Sequence, residues 1–583
     1  MSDEQRKRRI GVYVCHCGGN ISDYVDVEQV KAAVGEEADV VLCETSLFAC
    51  SDGTQRDMIQ EIEEKQLDGL VVASCSPKLH LYTFRGVAKR AGLNPFQYTQ
   101  VNIREQASWA HSDDPGGATE KAIGLVKAGV AKTRLSSALE PLVVETTPAT
   151  LVVGGGIAGL RAAIGLADIG IAVYLIEREA QLGGWVGRFG RMYPHDREGR
   201  ALADELLAEV KRRPSIVVLT RAELASKSGS FGNYVAEIHV AQDADEAPEV
   251  IRVEVGAIVV ATGFDAYQPS EGEVGYGGSG VITLPRFKEL VDSAAGVLEY
   301  EGRPVGSIAY VYCVGSRQPD GNQYCSRYCC AATVHASIQV ANLDPAIRQY
   351  HLYRDIRTYG KFELMYTESR ERGSVYMRYP DDEPPTVTAG PDGRPVVSVR
   401  DTLTGPDTLT LPVDLVVLVT GMVPRENGAL TRALKVPVGG DGFFNEIHPK
   451  LRPVETVVDG VLICGSCQGP KSSSESVASA LAAVTQSGAL LKRGVADLDP
   501  LVAVVDAEAC TLCLDCIESC PYGAVAKTPA GGHDLVTIDP ATCKGCGGCV
   551  PICPEGAIDL LGCTDEQIRS MIDSLVPGEA VPA

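Results

Sequence analysis

Two runs near the end of the chain, CTLCLDCIESCP at 510–521 and CKGCGGCVPICP at 543–554, repeat the spacing C-x2-C-x2-C-x3-C-P. Thiolates at that spacing hold iron–sulfur clusters, and in two-cluster ferredoxins the fourth cysteine of each run crosses to the other cluster. One [4Fe-4S] cluster is therefore expected on Cys510, Cys513, Cys516 and Cys553, and a second on Cys543, Cys546, Cys549 and Cys520. Another group lies in VYCVGSRQPDGNQYCSRYCC, residues 311–330, where Cys313, Cys325, Cys329 and Cys330 follow an apolar strand that runs into a glycine. Four thiolates there suffice for one more [4Fe-4S] cluster if the adjacent Cys329 and Cys330 diverge, or for a zinc ion. Arg317 and Arg327 lie close in sequence, where they would favour an anionic cluster or a flavin, or simply sit at the surface.

A further constellation suits a dinucleotide. In ATLVVGGGIAGLRAAIGLADIGIAVYLIERE, residues 149–179, a strand is followed by Gly154, Gly156 and Gly159 in G-x-G-x-x-G spacing, then a helix, a second strand and Glu177. Gly154 makes the tight turn, Gly156 lets the backbone approach a pyrophosphate, Gly159 packs helix on strand, and Glu177 reaches ribose hydroxyls. The start of the helix attracts the phosphates. QLGGWVGRF follows at 181–189, AIVVATGF at 257–264 ends a strand in Ala-Thr-Gly, and GVLICGSCQGP at 460–470 ends a late strand near Gly465. The expected cofactor contacts are Gly154, Gly156, Ile157, Ala158 and Gly159, then Glu177 and Arg178, Gly183, Gly184 and Trp185, Ala261, Thr262 and Gly263, and finally Gly421 and Gly465.

This order of motifs resembles the flavoproteins of thioredoxin-reductase type, which carry two dinucleotide-binding domains, and the resemblance implies FAD at the first site. Lys471 precedes a helix expected to begin near the flavin edge, where its charge would stabilise a reduced flavin, and Cys467 beside it reads first as a structural thiol and second as a redox-active one. The resemblance also implies a second Rossmann domain for NAD(P)H. Its first strand would be GSIAYVYCVGS, 306–316, but no G-x-G-x-x-G turn follows. The cysteine loop thus stands where the pyridine nucleotide would bind, and reduction by NADH bound in the usual place is not expected.

These groups need rigid elements to hold them. Up to about residue 140, the apolar runs IGVYVC, ADVVLC and LDGLVVASC alternate with amphipathic DVEQVKAAV and TQRDMIQEIEEK, which predicts a mostly parallel sheet with helices. Ligands of such sheets gather beyond the carboxyl ends of the strands. Cys15 and Cys17 follow the first strand, Cys50 the second and Cys75 the third, so four thiols can converge there. Cys43, inside its strand, reads as a buried small hydrophobe. The joint LEPLVVETTPAT leads into a dinucleotide-binding segment over 148–500, with SKSGSFGNY, AQDADEAPEVIRVEV and YPDDEPPTVTAGPDGRPVVSV as hairpins and turns. The ferredoxin pair occupies 501–563, and 564–583 closes the chain as a helix and loose tail. The fold class expected is multidomain α/β: an N-terminal α/β cluster domain over 1–140, a thioredoxin-reductase-like FAD-binding Rossmann core, and a two-[4Fe-4S] ferredoxin domain.

Composition bounds the function. At 583 residues the chain is too long for one core, and 45% hydrophobic with 22% charged residues is ordinary globular usage. A formal charge of -23 disfavours nucleic acid or anionic membrane as partner, because both are bound by neutralising phosphates with Lys and Arg. No membrane span and no secretion signal are read, so a soluble cytoplasmic protein is expected. Twenty clustered cysteines in such a chain point to metal or redox chemistry rather than disulfides.

Taken together, GVYVCHCGGNI, CSDGTQ, VVASCSPKLH, GLNPFQYTQVNIREQASWAH, GGGIAGL, CSRYCC, GSCQGPK and the ferredoxin pair closely resemble the HdrA subunit of heterodisulfide reductase and its bacterial relatives, over nearly the whole chain. The resemblance implies an oxidoreductase: an FAD-carrying electron-transfer subunit of a larger complex, in which the flavin splits an electron pair between a higher- and a lower-potential acceptor. It implies B and C subunits, an electron-input subunit such as a dehydrogenase or hydrogenase, ferredoxin as a further carrier, and a dimer of heteromers. It also makes the N-terminal thiols a [4Fe-4S] site, on Cys15, Cys17, Cys50 and Cys75 with Cys43 in reserve, which brings the clusters to four. There is one departure. Longer members carry a ferredoxin-like insertion where this chain has RFGRMYPHDREGRALADELLAEVKRRP, which contains no cysteine. The rival readings are an NAD(P)H-dependent flavin oxidoreductase and a passive electron-wiring subunit.

Overall fold

The computed structural model describes residues 7–242, 247–530 and 533–576. Residues 577–583 of the helix and tail expected over 564–583, and residues 243–246 of an expected turn segment, lie outside them. The chain forms two compact units, one from residues up to 144 together with 497 onward, the other from 145–496.

In the first unit the strands Val40–Ser46, Ile10–Cys15, Gly69–Ser74 and Tyr98–Asn102 form a parallel sheet in that order. Ile10–Cys15 and Gly69–Ser74 are buried along their whole length, the consequence of helices packed over a parallel sheet. Three helix starts are fixed by a polar side chain: Asp26 accepts the N–H groups of Glu28 and Gln29, Ser51 that of Thr54, and Asp114 that of Gly117.

The ferredoxin segment belongs to this same unit. It is two antiparallel strand pairs, Ala503–Val505 with Ile558–Leu560 and Val525–Ala530 with His533–Ile538, around a short helix Asp515–Ser519. Its buried core is small: Ala503, Cys516, Val525, Val536 and Ile558, with Cys510, Cys520, Cys543, Cys549 and Cys553 packed around them and only partly covered. The helix Asp565–Leu575 starts in a capping box of Thr564 and Gln567 and packs on Pro115–Arg134. There Gln567 Nε2 donates to the Leu135 carbonyl at 3.3 Å, and Lys132 Nζ stands 3.2 Å from Cys563 Sγ, which accounts for a cysteine outside every motif.

The second unit holds two five-stranded parallel sheets. In the first, Ile216–Thr220, Ala172–Glu177, Ala149–Val153, Ala257–Val260 and Val461–Ile463 lie side by side, the 3-2-1-4-5 order of a dinucleotide-binding fold. The second runs Val281–Thr283, Leu415–Thr420, Ser307–Val314, Arg348–Tyr353 and Val375–Arg378. Three-stranded antiparallel ribbons at Ala222–Val255 and Thr386–Pro412 decorate them, where the sequence places its hairpins.

The core of the second sheet carries a pH liability. His351 is fully buried, stacked on Tyr310 and Tyr376 at 4.6 and 4.2 Å, with Nδ1 at 2.9 Å from Tyr312 Oη and Nε2 without a partner. Burial pulls its pKa down to about 3. The unfolded chain takes up this proton first, so stability is lost as the pH falls below about 6.5, by up to ~1.4 kcal/mol per pH unit. The urea midpoint for amide exchange in Ser307–Val314 is therefore expected to fall between pH 7 and pH 5, and that dependence to flatten in His351→Phe.

Candidate functional site

The first sheet opens the cofactor site at the end of Ala149–Val153. Gly154 has φ +109°, and a Cβ there would stand 2.5 Å from the Ala261 carbonyl oxygen. A Cβ on Gly159 would stand 1.8 Å from the Gly154 oxygen, so these two glycines are required by backbone packing. Gly156 caps the helix Ile157–Asp168 and has nothing within 4 Å of an added Cβ. It faces a cavity of about 650 Å³. The buried Glu177 carboxylate accepts the Gly155 N–H at 2.7 Å and the Glu179 N–H at 3.0 Å, which fixes the turn and leaves the acid on the cavity wall. Trp185 stacks between Phe189 and Phe264 and donates its indole N–H to the Phe264 carbonyl.

An open glycine at a helix start, an acid at the end of the second strand and a cavity of this size fit the pyrophosphate, ribose and bulk of FAD. Ten of the expected residues line the cavity: Gly156, Ile157 and Ala158, Glu177, Gly184 and Trp185, Ala261 to Gly263, and Lys471, whose pKa burial lowers. Others act by close packing. Gly183 donates its N–H to the Gly155 carbonyl, and Gly465 approaches Ala158, where a Cβ would stand 2.8 Å from the alanine's own. Arg178 lies 3.7 Å from Glu179 and is not on the wall.

Two more of the expected residues stand off the cavity. Gly421 does not reach the cavity: it ends Leu415–Thr420 in the other sheet, where a Cβ would stand 2.4 Å from Ser326 Oγ of the cysteine loop. Cys467 is buried off the wall as well, its thiol turned to the Cys464 and Val260 carbonyls at 3.1 and 3.4 Å, and burial pushes its pKa up to about 11.

The cavity also has a wall that no motif announced. A short hairpin, Arg191–Met192 against Arg197–Glu198, brings Tyr193 and His195 to the site. Opposite stand His335, paired with Asp196 at 2.7 Å, and Lys288, which donates to Asp292 at 2.7 Å and Gln339 at 2.6 Å. Helices of the second sheet supply both, and only long-range packing locates them.

In that second sheet, Ser307–Val314 and the helix Cys329–Leu343 are separated by a loop over 315–328 instead of a tight glycine turn. Cys329 and Cys330 are the first two helical residues. The Cys329 thiol donates to Cys330, which raises the first well above the usual thiol range and lowers the second, and Cys313 and Cys325 lie within electrostatic reach of Cys329. Arg317 reaches toward Cys313 and is held by Asp355 at 2.8 Å; Arg327 donates its backbone N–H to Cys325 Sγ at 3.3 Å while its guanidinium pairs with Glu475.

At the carboxyl edge of the N-terminal sheet, Cys15, Cys50 and Cys75 each feel the charge of Cys17. Cys17 takes a left-handed φ of +54°, and its N–H and that of Ala49 point at Cys15 Sγ, both at 3.3 Å. Burial raises the Cys15 thiol and pushes Cys75 up to about 11. Cys43 has Lys31, Glu44 and Glu28 as its charged neighbours and stands apart from this set. In the ferredoxin segment one small cavity is lined by Cys510, Cys513, Cys516 and Cys553, and another by Cys520, Cys543, Cys546 and Cys549, the two crossing sets. Among the described residues no three His, Cys, Asp or Glu side chains converge as donors to a single ion. A four-iron cluster asks for something wider, since each thiolate takes a different iron.

Comparison with known proteins accords with this geometry. Residues 502–557 match the 4Fe-4S dicluster domain and 152–205 the NAD(P)-binding Rossmann-like domain. Iron–sulfur clusters are cofactors of the chain, and no helix among the described residues is long and apolar enough to cross a membrane. A thioredoxin reductase of T. acidophilum, 14% identical, aligns over 58% of this chain and 97% of its own with a TM-score of 0.40. The chain is 34% identical to an iron-sulfur A-subunit of the CoB–CoM heterodisulfide reductase of Methanopyrus kandleri, over 91% of this chain and 92% of that one. It is also 34% identical to the A-subunit of the H2:CoB-CoM heterodisulfide,ferredoxin reductase of Methanothermobacter thermautotrophicus, over 90% and 92%. Similarity of that extent spans both units, dinucleotide site and cysteine runs alike, so the chain belongs to the HdrA family of heterodisulfide reductase oxidoreductases.

Proposed function

We propose that this chain is a flavin-based electron-bifurcating or confurcating subunit, with FAD at the glycine-rich turn and four [4Fe-4S] clusters as one-electron wires. FAD exchanges electrons singly or in pairs while each cluster takes one. The chain's own residues do the rest. Gly156 and the helix start hold the pyrophosphate, Glu177 the ribose, and Lys471 offers a half-buried positive charge to the reduced ring. The thiol sets at 15–75, 313–330 and 510–553 hold the clusters.

One observation carries the reading: the first strand of the second dinucleotide-type sheet leads into a thiol loop with Cys329 and Cys330 at the helix start, in place of a nucleotide turn. Partners of B- and C-subunit type, an electron-input dehydrogenase or hydrogenase, and ferredoxin follow from the family and from the names of the relatives, with a cytoplasmic dimer of heteromers as the assembly.

Protein purified without oxygen is expected to hold about sixteen irons, with matching labile sulfide and one FAD, and not to bleach with NADH alone. About eight irons, or stoichiometric bleaching by NADH, would sink the reading and favour a self-contained NAD(P)H oxidoreductase. Coupling is tested in the assembled complex, where ferredoxin and a disulfide acceptor must be reduced together.

A further inference from the structure

Two thiol sets outside the ferredoxin pair share a feature. Arg104 Nη1 stands 3.6 Å from Cys17 Sγ, and Arg317 Nη1 stands 4.0 Å from Cys313 Sγ. Both guanidinium groups are largely buried, and each is tethered on its far side by a carboxylate: Arg104 by Glu105 at 2.6 Å, Arg317 by Asp355 at 2.8 Å. The geometry is held further. Arg104 lies 4.5 Å from the Trp109 ring centroid, while Arg354 Nη1 donates to the Arg317 carbonyl at 2.9 Å and the Arg317 N–H donates to the Tyr324 carbonyl. In the ferredoxin segment, Cys520 and Cys553 accept backbone N–H groups of Ala524 and Ala557 at 3.4 and 3.3 Å.

A long side chain gives up rotamer freedom when pinned, so an arginine fixed twice beside a sulfur needs a physical reason. Its cation is charge-assisted toward the thiolate and sits where water screens it little. A cluster that accepts one electron, from the flavin or from a neighbouring cluster, gains one negative charge. A fixed cation beside its sulfurs therefore favours the reduced form and raises the potential, one of the levers a protein holds over such clusters. The acid behind each arginine works the other way and trims the effect.

We infer that Arg104 and Arg317 set the reduction potentials of the clusters on the Cys15/Cys17/Cys50/Cys75 and Cys313/Cys325/Cys329/Cys330 sets, holding both higher than the thiolates alone would. They are positioning residues that act through the sulfurs. The inference rests on the reading of those two sets as clusters, and the test separates the two.

The experiment is a redox titration of the anaerobically purified full chain, followed by the paramagnetic resonance of the reduced clusters, for wild type, Arg104→Gln and Arg317→Gln, with iron counted in each. Each variant is expected to keep about sixteen irons and to shift one wave negative by at least tenfold in its reduction equilibrium, about 59 mV for a one-electron couple, while the other waves stay. Should a variant lose iron, Glu105→Gln or Asp355→Asn decides at the same site: the amide oxygen still tethers the arginine, an anion is gone, and the wave moves positive. Unmoved waves with iron intact overturn the tuning role alone. About eight irons in the wild type overturn the cluster assignment and the tuning with it.

Discussion

Gly156→Ala is expected to fold like the wild type and to lose FAD, whereas Gly159→Ala is expected to lose both stability and FAD. The two positions are three residues apart in one motif, yet they meet different surroundings. A methyl on Gly156 contacts no protein atom within 4 Å, and its φ of -76° is open to alanine, so the fold tolerates it. That methyl occupies the space through which a pyrophosphate reaches the helix start. A loss of about 100-fold in FAD affinity follows, ~2.8 kcal/mol, with little change in thermal unfolding of the flavin-free protein. A methyl on Gly159 would overlap the Gly154 oxygen at 1.8 Å, and backbone cannot yield as a side-chain end can. The helix Ile157–Asp168 must move off its strand, at a cost of about 3 kcal/mol typical of overpacking. Flavin absorbance per chain and calorimetry of the flavin-stripped protein check both; full FAD occupancy in Gly156→Ala would falsify the phosphate position.

Removing iron is expected to unfold the ferredoxin segment while the sheets of both units persist. A cluster of five buried residues, two of them alanine or cysteine, is too small a core for about sixty residues, a size at which domains are marginal without metals or cross-links. Cluster binding is then folding free energy. After anaerobic chelation, amides in Val525–Ala530 and His533–Ile538 should lose at least ~1000-fold of their exchange protection, about 4 kcal/mol. Ile10–Cys15, Gly69–Ser74 and Ser307–Val314, buried along their whole lengths, should keep theirs. Retained protection in the ferredoxin strands would mean that its apolar core is sufficient alone.

Local spacing carried most of the chemistry. Three of the four ligands of each ferredoxin cluster, like the glycines of a dinucleotide turn, sit within a dozen residues of one another, so the chain's own geometry brings them together and the sequence displays it. The alternation of apolar runs and amphipathic segments likewise determined the parallel sheets. The N-terminal thiols were legible as a group because each closes a strand of one sheet, and the sheet edge is where Cys15, Cys17, Cys50 and Cys75 gather while Cys43 stays behind in its strand.

Tertiary structure decided what depends on direction and on partners far away in sequence. Cys467 is one residue beyond a cavity-lining serine, but the turn Gly465–Gln468 aims its sulfur at backbone carbonyls, a rotation that spacing does not encode. Gly421 belongs to the cysteine loop because its strand pairs with Ser307–Val314. Lys288, His335 and the hairpin at 191–198 reach the cavity only through packing between elements far apart in the chain, and Arg104 and Arg317 gain their meaning only from which sulfur each guanidinium faces. Which groups this protein carries is written in short-range periodicity and was legible from residue order; their orientation, and the residues that tune them, were decided by side-chain packing across chain segments that no local pattern connects.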